Sequence, residues 1–157
     1  MLKISTLAAA LSVFALTLPA HAESFTPIKD PKIIAACGEC HMTYFPQMLP
    51  QASWSKILSD PSNHFGEDAT LTPATQDYVL NYYLNDAADV QSTRAAKKWM
   101  TGVDLKNPPL SISTAPRFVQ KHSEREFTSM WNRKNVKSKS DCAACHKDAQ
   151  RGIFEDD

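Results

Sequence analysis

Cys37-Gly38-Glu39-Cys40-His41 and Cys142-Ala143-Ala144-Cys145-His146 are two copies of one pattern, C-x-x-C-H, and together they use all four cysteines of the chain. This spacing marks c-type haem attachment. Two thiols one helical turn apart form thioethers with the two vinyl groups of one porphyrin. The adjoining histidine is then held beneath the iron as its proximal ligand. Covalent bonds keep the haem from dissociating outside the cell. A single C-x-x-C also serves thioredoxin-like redox pairs and halves of zinc sites. A zinc site made of two such pairs usually has them closer, and it does not demand a histidine after each. Two complete copies with no cysteine left over predict two covalently attached haem c groups, one on Cys37 and Cys40, the other on Cys142 and Cys145.

Two haems offer four axial positions. His41 and His146 take the proximal ones. Beyond the first 22 residues the chain holds two more histidines, His64, 23 residues after His41, and His122, 24 residues before His146. The simplest assignment is His41 with His64 and His122 with His146, so that both irons are six-coordinate. An isolated histidine is more often an ordinary surface residue, but the four-for-four count and the near-symmetric spacing oppose that here. The rival ligand is methionine. Met42 directly follows a proximal ligand and is badly placed to reach around the ring. Met48 is close to the first motif, and Met130 sits among core-like Phe127 and Trp131. Met100, 59 residues after His41 and beside Trp99, is the serious alternative, although a methionine next to a tryptophan more commonly packs.

Residues 1–22 read MLKISTLAAALSVFALTLPAHA. Lys3 supplies a positive start, an apolar run extends from about Leu7 to Leu18, and Ala20-His21-Ala22 is a small-x-small ending. This is a secretory signal peptide, with cleavage expected after Ala22. The run is too short to anchor comfortably in a membrane and has no basic flank behind it. Export places the chain in an oxidising compartment. The chain of 157 residues carries 17 Lys+Arg against 17 Asp+Glu, which gives no electrostatic case for nucleic acid as a partner. Only 4 glycines exclude collagen-like and Gly-rich disordered classes.

Helix signals punctuate the rest. Asp30-Pro31 opens a helix leading through Ile33 and Ile34 into the first motif. Ser53 to Leu58 places Trp54, Ile57 and Leu58 on one face. Asp60-Pro61-Ser62-Asn63 is a turn presenting His64. Thr72-Pro73 starts a helix with an apolar stripe of Val79, Leu80, Tyr83, Leu84 and Ala87. Residues 89–100 read as helical with a polar face. Gly102, Pro108, Pro109 and Pro116 make 101–116 a linker or extended wrap. Ser123-Glu124-Arg125-Glu126 fits a capping box, with Phe127, Met130 and Trp131 on the following face. Lys134, Lys137 and Lys139 form a basic stretch, ordinarily a solvated loop and alternatively a docking patch. Asp141 is expected to cap a last helix from Cys142 to Arg151, which Gly152 ends. The acidic tail after Phe154 is expected to fray. No strand pattern of any length stands out. The expected fold is all-α, with two small haem-binding lobes and little or no sheet. The lobes follow the signal peptide at 23–100 and 101–157, the second beginning with the extended linker. So short a chain cannot bury two porphyrins on aliphatic side chains alone, so the haems form much of the core.

CGECHMTYFPQMLP at 37–50, Trp54, His64-Phe65-Gly66-Glu67 and YYLNDAA at 82–88 resemble the periplasmic dihaem cytochrome c family of the small "DHC" type, as do APRFVQKH at 115–122 and CAACHKDAQRGIFED at 142–156. C-x-x-C-H alone is unspecific. His-Phe-Gly between the motifs and the C-x-x-C-H-x-x-A-x-x-G-x-F ending are more selective, and the resemblance covers nearly all of the chain after residue 22. It implies two bis-histidine haems of low potential, with His41, His64, His122 and His146 as ligands. It further implies electron delivery to a periplasmic redox protein such as an oxygen-binding monohaem cytochrome c, the sphaeroides haem protein, with a membrane cytochrome b as the electron source.

The leading expectation is an electron carrier rather than an enzyme, because the haem supplies the redox chemistry and two histidines per iron leave no site for substrate. A small dihaem subunit of a periplasmic reductase is the nearest alternative. A dihaem peroxidase or a gas sensor would need one iron with a releasable ligand.

Overall fold

The computed structural model describes residues 23–123 and 127–154. The signal-peptide reading of 1–22, the capping-box residues 124–126 and the acidic tail 155–157 lie outside the described residues. Among the described residues there are six short α-helices, five single turns of 3₁₀-helix and one pair of two-residue strands.

The helix starts follow from their caps. The Asp30 carboxylate accepts from the Lys32 and Ile33 amides at 2.9 and 3.2 Å, and Pro31 occupies the first position of α1 (Pro31–Cys37). In α3 (Pro73–Asn85) the Thr72 hydroxyl accepts from the Thr75 amide at 3.3 Å. Each such cap contributes about 1 kcal/mol. α2 (Gln51–Ile57) follows Pro50, which has no side-chain acceptor, so the Asp89 carboxylate accepts from the Gln51 amide at 2.9 Å instead. That bond explains a departure from the sequence reading. The helix expected over 89–100 begins only at Arg94, as α4 (Arg94–Met100), because Thr93 caps it through the Ala96 amide at 3.2 Å. Residues 89–93 stay in the loop that serves α2. α5 (Pro116–Lys121) again starts on proline, and α6 (Phe127–Met130) is one turn.

The core gathers around the 3₁₀ turn Pro46–Met48, where Phe45, Met48 and Leu49 are each 1% exposed. Trp54 of α2 packs on Tyr83 of α3 with ring centroids 4.5 Å apart, and its indole N–H donates to the Pro46 carbonyl at 2.8 Å. Of the apolar stripe on α3, Val79, Tyr83 and the following Ala87 are buried, and Leu80 and Leu84 are half-buried. α4 adds Ala95, Ala96 and Trp99 to the buried set.

The two ends of the described chain meet. β1 (Glu23–Ser24) pairs antiparallel with β2 (Ile153–Phe154), Glu23 opposite Phe154 and Ser24 opposite Ile153. Phe25 stacks on Phe45 at 4.9 Å and meets Phe154 edge-on at 5.7 Å. Gly152 makes the closure possible. Its φ is +79°, and a Cβ there would lie 2.3 Å from the Phe25 carbonyl oxygen. One buried cluster thus draws on residues from both sides of position 101. Its membership is uneven: of the described residues from 119 to 154, only Ala149 and Gly152 are buried.

The continuous last helix expected from Cys142 to Arg151 is replaced by two 3₁₀ turns, Cys142–Ala144 and Ala149–Arg151, with His146 between them. Asp141 does not cap the first turn. Its carboxylate accepts from the Lys137 amide at 3.1 Å, closing the preceding loop instead. Gly152 does end the segment, in the left-handed conformation.

Candidate functional site

α1 delivers Cys37 as its last residue, and a turn over 38–40 carries the chain to His41. The His41 ring stacks on Tyr44, centroids 4.8 Å apart and planes 23° off parallel. Its partner arrives from a tight turn. The His64 amide donates to the Glu67 carbonyl at 2.8 Å and the Glu67 amide returns the bond at 3.2 Å. Phe65 and Gly66 between them have φ of +55° and +92°, the pattern of a primed two-residue turn. Glycine takes that conformation freely, whereas Phe65 bears about 1–2 kcal/mol of strain for it. Strain of this kind collects at functional positions. The turn holds the His64 ring 6.2 Å from that of His41, centroid to centroid.

The second pair is built differently and reaches the same spacing. His122 directly follows α5, and its ring lies on Phe118, four residues earlier, with centroids 4.1 Å apart and planes 16° off parallel. Phe127 and Trp131 approach the same ring at 5.2 and 5.7 Å. The His146 ring is 6.2 Å from that of His122, with the planes at 90°.

Backbone carbonyls set the free nitrogen of three of these rings. His41 Nδ1 lies 2.7 Å from the Met42 carbonyl and His122 Nδ1 lies 2.9 Å from the Phe118 carbonyl. A carbonyl only accepts, so each Nδ1 carries the proton and Nε2 keeps its lone pair. The His64 ring bonds the Ile57 carbonyl, and burial, followed by the neighbouring His41, lowers its pKa. A lowered pKa favours the neutral imidazole, the form that binds metal.

The four cysteines are unpaired. Cys37 and Cys142 are half-buried, and Cys40 and Cys145 are exposed. Burial pushes the Cys142 thiol up to about 11, and it raises Cys37 against an opposing hydrogen bond from the Tyr83 hydroxyl. Among the described residues no three His, Cys, Asp or Glu side chains converge to hold a bare metal ion, so the two pairs do not assemble as a four-cysteine zinc site would require. Met42 and Met48 lie in the buried core, while Met100 and Met130 are the last residues of α4 and α6.

These residues fit haem. A first-row metal binds an imidazole nitrogen at about 2 Å, and that nitrogen is about 1 Å from its ring centre, so two rings facing across one iron have centroids roughly 6 Å apart. Both histidine pairs have this spacing, and each includes the histidine of a C-x-x-C-H motif. Sequence reasoning missed the supports: Tyr44 under His41, Phe118 under His122 and the carbonyl of Ile57. The position of Phe118 four residues before His122 on a helix was an available signal. The Ile57 contact depends on tertiary placement.

The sequence profile of the dihaem cytochrome c family matches residues 33–154. No curated protein sequence matches the chain. Among solved structures, a diheme cytochrome c from Rhodobacter sphaeroides is similar with a TM-score of 0.73 and 37% identity, over 83% of this chain and 100% of that one. The diheme cytochrome type c from Shewanella baltica OS155 is similar with a TM-score of 0.63 and 30% identity, over 80% of this chain and 86% of that one. With both C-x-x-C-H motifs and their facing histidines inside the matched span, this chain belongs to the dihaem cytochrome c family and carries two haem c groups.

Proposed function

We propose that the chain is a periplasmic one-electron carrier, exported by the segment 1–22, with His41 and His64 ligating one iron and His122 and His146 the other. The observation that carries this reading is the equal 6.2 Å separation of the two histidine pairs. Each haem supplies one-electron chemistry by cycling between ferric and ferrous iron. The residues around it do the rest. His41 with His64, and His122 with His146, would hold the two irons and would leave no open position for oxygen or a small substrate. The carbonyls of Met42, Ile57 and Phe118 hold ring orientation and raise ligand basicity. Histidine in place of thioether ligation favours low potentials.

The partner we propose is a periplasmic haem protein such as an oxygen-binding monohaem cytochrome c, with a membrane cytochrome b as donor. Lys134, Lys137 and Lys139 are all exposed just before the second motif and offer a positive surface to an acidic partner. Stopped-flow mixing of the reduced protein with such an oxidised cytochrome tests the reading. Fast transfer that slows with added salt is expected, because exposed charges are screened over about 8 Å at physiological ionic strength. Replacing the three lysines by glutamate should slow it several-fold at low salt. Salt-independent transfer would remove the docking role, and turnover of peroxide by the purified protein would remove the carrier reading.

A further inference from the structure

The ligand rings are turned differently at the two sites. The planes of His41 and His64 lie 32° apart, whereas those of His122 and His146 lie at 90°. One residue fixes the second arrangement from the His122 side. The Phe118 carbonyl accepts from the His122 backbone amide at 3.0 Å and from Nδ1 of its ring at 2.9 Å. The Phe118 ring covers the same imidazole at 4.1 Å, 16° off parallel. The hydrogen bond fixes where Nδ1 points, and the stack fixes rotation about that direction. Phe118 is itself 7% exposed and belongs to the main buried cluster, with Trp131 against its ring at 6.1 Å. His64, the corresponding ligand of the first site, meets Phe65 edge-on instead, at 4.9 Å and 77°.

We infer that Phe118 is a positioning residue that holds the ligand planes of the second haem crossed, and so raises its potential above what parallel planes would give. The inference rests on the bis-histidine reading. Imidazoles bound from opposite faces stand upright on a porphyrin, so the angle between their planes is a rotation about the iron axis. Low-spin ferric iron has one vacancy among its π-type d orbitals. The filled π orbital of each imidazole pushes up the d orbital it overlaps. Rings close to parallel push up one d orbital above its partner, and the vacancy settles there, which stabilises ferric iron. Crossed rings push up both alike and forgo that stabilisation. One electron then reduces ferric to ferrous iron more readily, with both ligands kept and no proton moved. The same near-degeneracy gives an electron paramagnetic resonance signal with an unusually large principal g value. Control of ring orientation by groups behind the ligand is a general lever on a metal centre.

The test uses the oxidised holoprotein at liquid-helium temperature, with a spectroelectrochemical titration of the same samples. The unmodified protein is expected to give two unlike low-spin signals, one rhombic and one with a much larger principal g value. His64→Ala, which opens the first haem, should leave the large-g signal in place and so assign it to the second. Phe118→Leu keeps the backbone carbonyl and the apolar bulk but removes the flat ring. It should move the large-g signal to smaller g and lower the potential of that haem, with the rhombic signal unmoved and both irons still low-spin. Phe118→Tyr keeps the stack and should keep the wild-type signals. A residue that merely packs would change stability or haem retention and leave signal position and potential alone. Two rhombic signals in the unmodified protein overturn the inference without any variant having to fold. An unmoved large-g signal in Phe118→Leu overturns the role of Phe118 and leaves the bis-histidine reading standing. A high-spin iron in the unmodified protein overturns that reading itself.

Discussion

His64→Ala and His122→Ala are each expected to retain two covalent haems while converting one of them to a high-spin form that binds carbon monoxide when reduced. Attachment depends on the cysteines and the proximal histidines, neither of which the substitutions touch. His64 and His122 each face a motif histidine at 6.2 Å. Truncation to alanine removes the imidazole that would hold that iron together with the motif histidine. The effect is all-or-none at one haem and absent at the other. Optical spectra with and without carbon monoxide read it directly, and added imidazole should restore the low-spin spectrum. An unchanged spectrum in either variant would show that the distal assignment is wrong there, and Met100 would be the next ligand to remove.

Cys142→Ser combined with Cys145→Ser is expected to leave one haem per chain and to unfold the C-terminal segment. The reason is the uneven core. Phe45, Met48, Leu49, Trp54, Val79 and Tyr83 give the first half an apolar interior of its own, whereas 119–154 buries only Ala149 and Gly152 among its described residues. A stretch below roughly 40 residues seldom folds without a metal, a disulfide or a partner surface. Phe118, Phe127 and Trp131 surround His122 and are the apolar groups available to pack against a haem there. Limited proteolysis with mass spectrometry should show cleavage concentrated in 119–154, an intact fragment over 25–118, and a mass lower by one haem. Protection of 119–154 equal to that of the unmodified protein would contradict the view that the second haem is that segment's core.

The chemistry of this chain was legible because covalent attachment imposes a fixed spacing. C-x-x-C-H cannot be spread out and still hold a porphyrin, and beyond residue 22 the chain has only four histidines to divide between two irons. Helix starts at Asp30 and Thr72 were legible for a similar reason, since the capping residue and the proline act within one turn, whereas Pro116, read as the end of a linker, opens α5 with no side-chain cap. The departures all involve partners distant along the chain or competing for one group. Asp141 could cap a helix or close the loop from Lys137, and the loop wins. Asp89 could continue a helix or serve α2, and it serves α2. The closure of Phe25 on Gly152 and the reach of Tyr44 to Ser140 join positions about a hundred residues apart, and no local pattern encodes them. The turn at His64 is intermediate. The turn expected at Asp60 to Asn63 is there as the 3₁₀ turn Pro61–Asn63, but the second turn after it, with the positive φ of Phe65, is imposed by the pair of hydrogen bonds between His64 and Glu67.

The most direct test of the account is low-temperature electron paramagnetic resonance of the oxidised protein, paired with carbon monoxide added to the reduced protein. Paired histidines at both irons require two low-spin ferric signals that integrate to two irons per chain, and no optical change with carbon monoxide. A high-spin ferric signal, or a carbon monoxide adduct at either haem, would contradict the ligation by His41 with His64 and His122 with His146 on which the account stands.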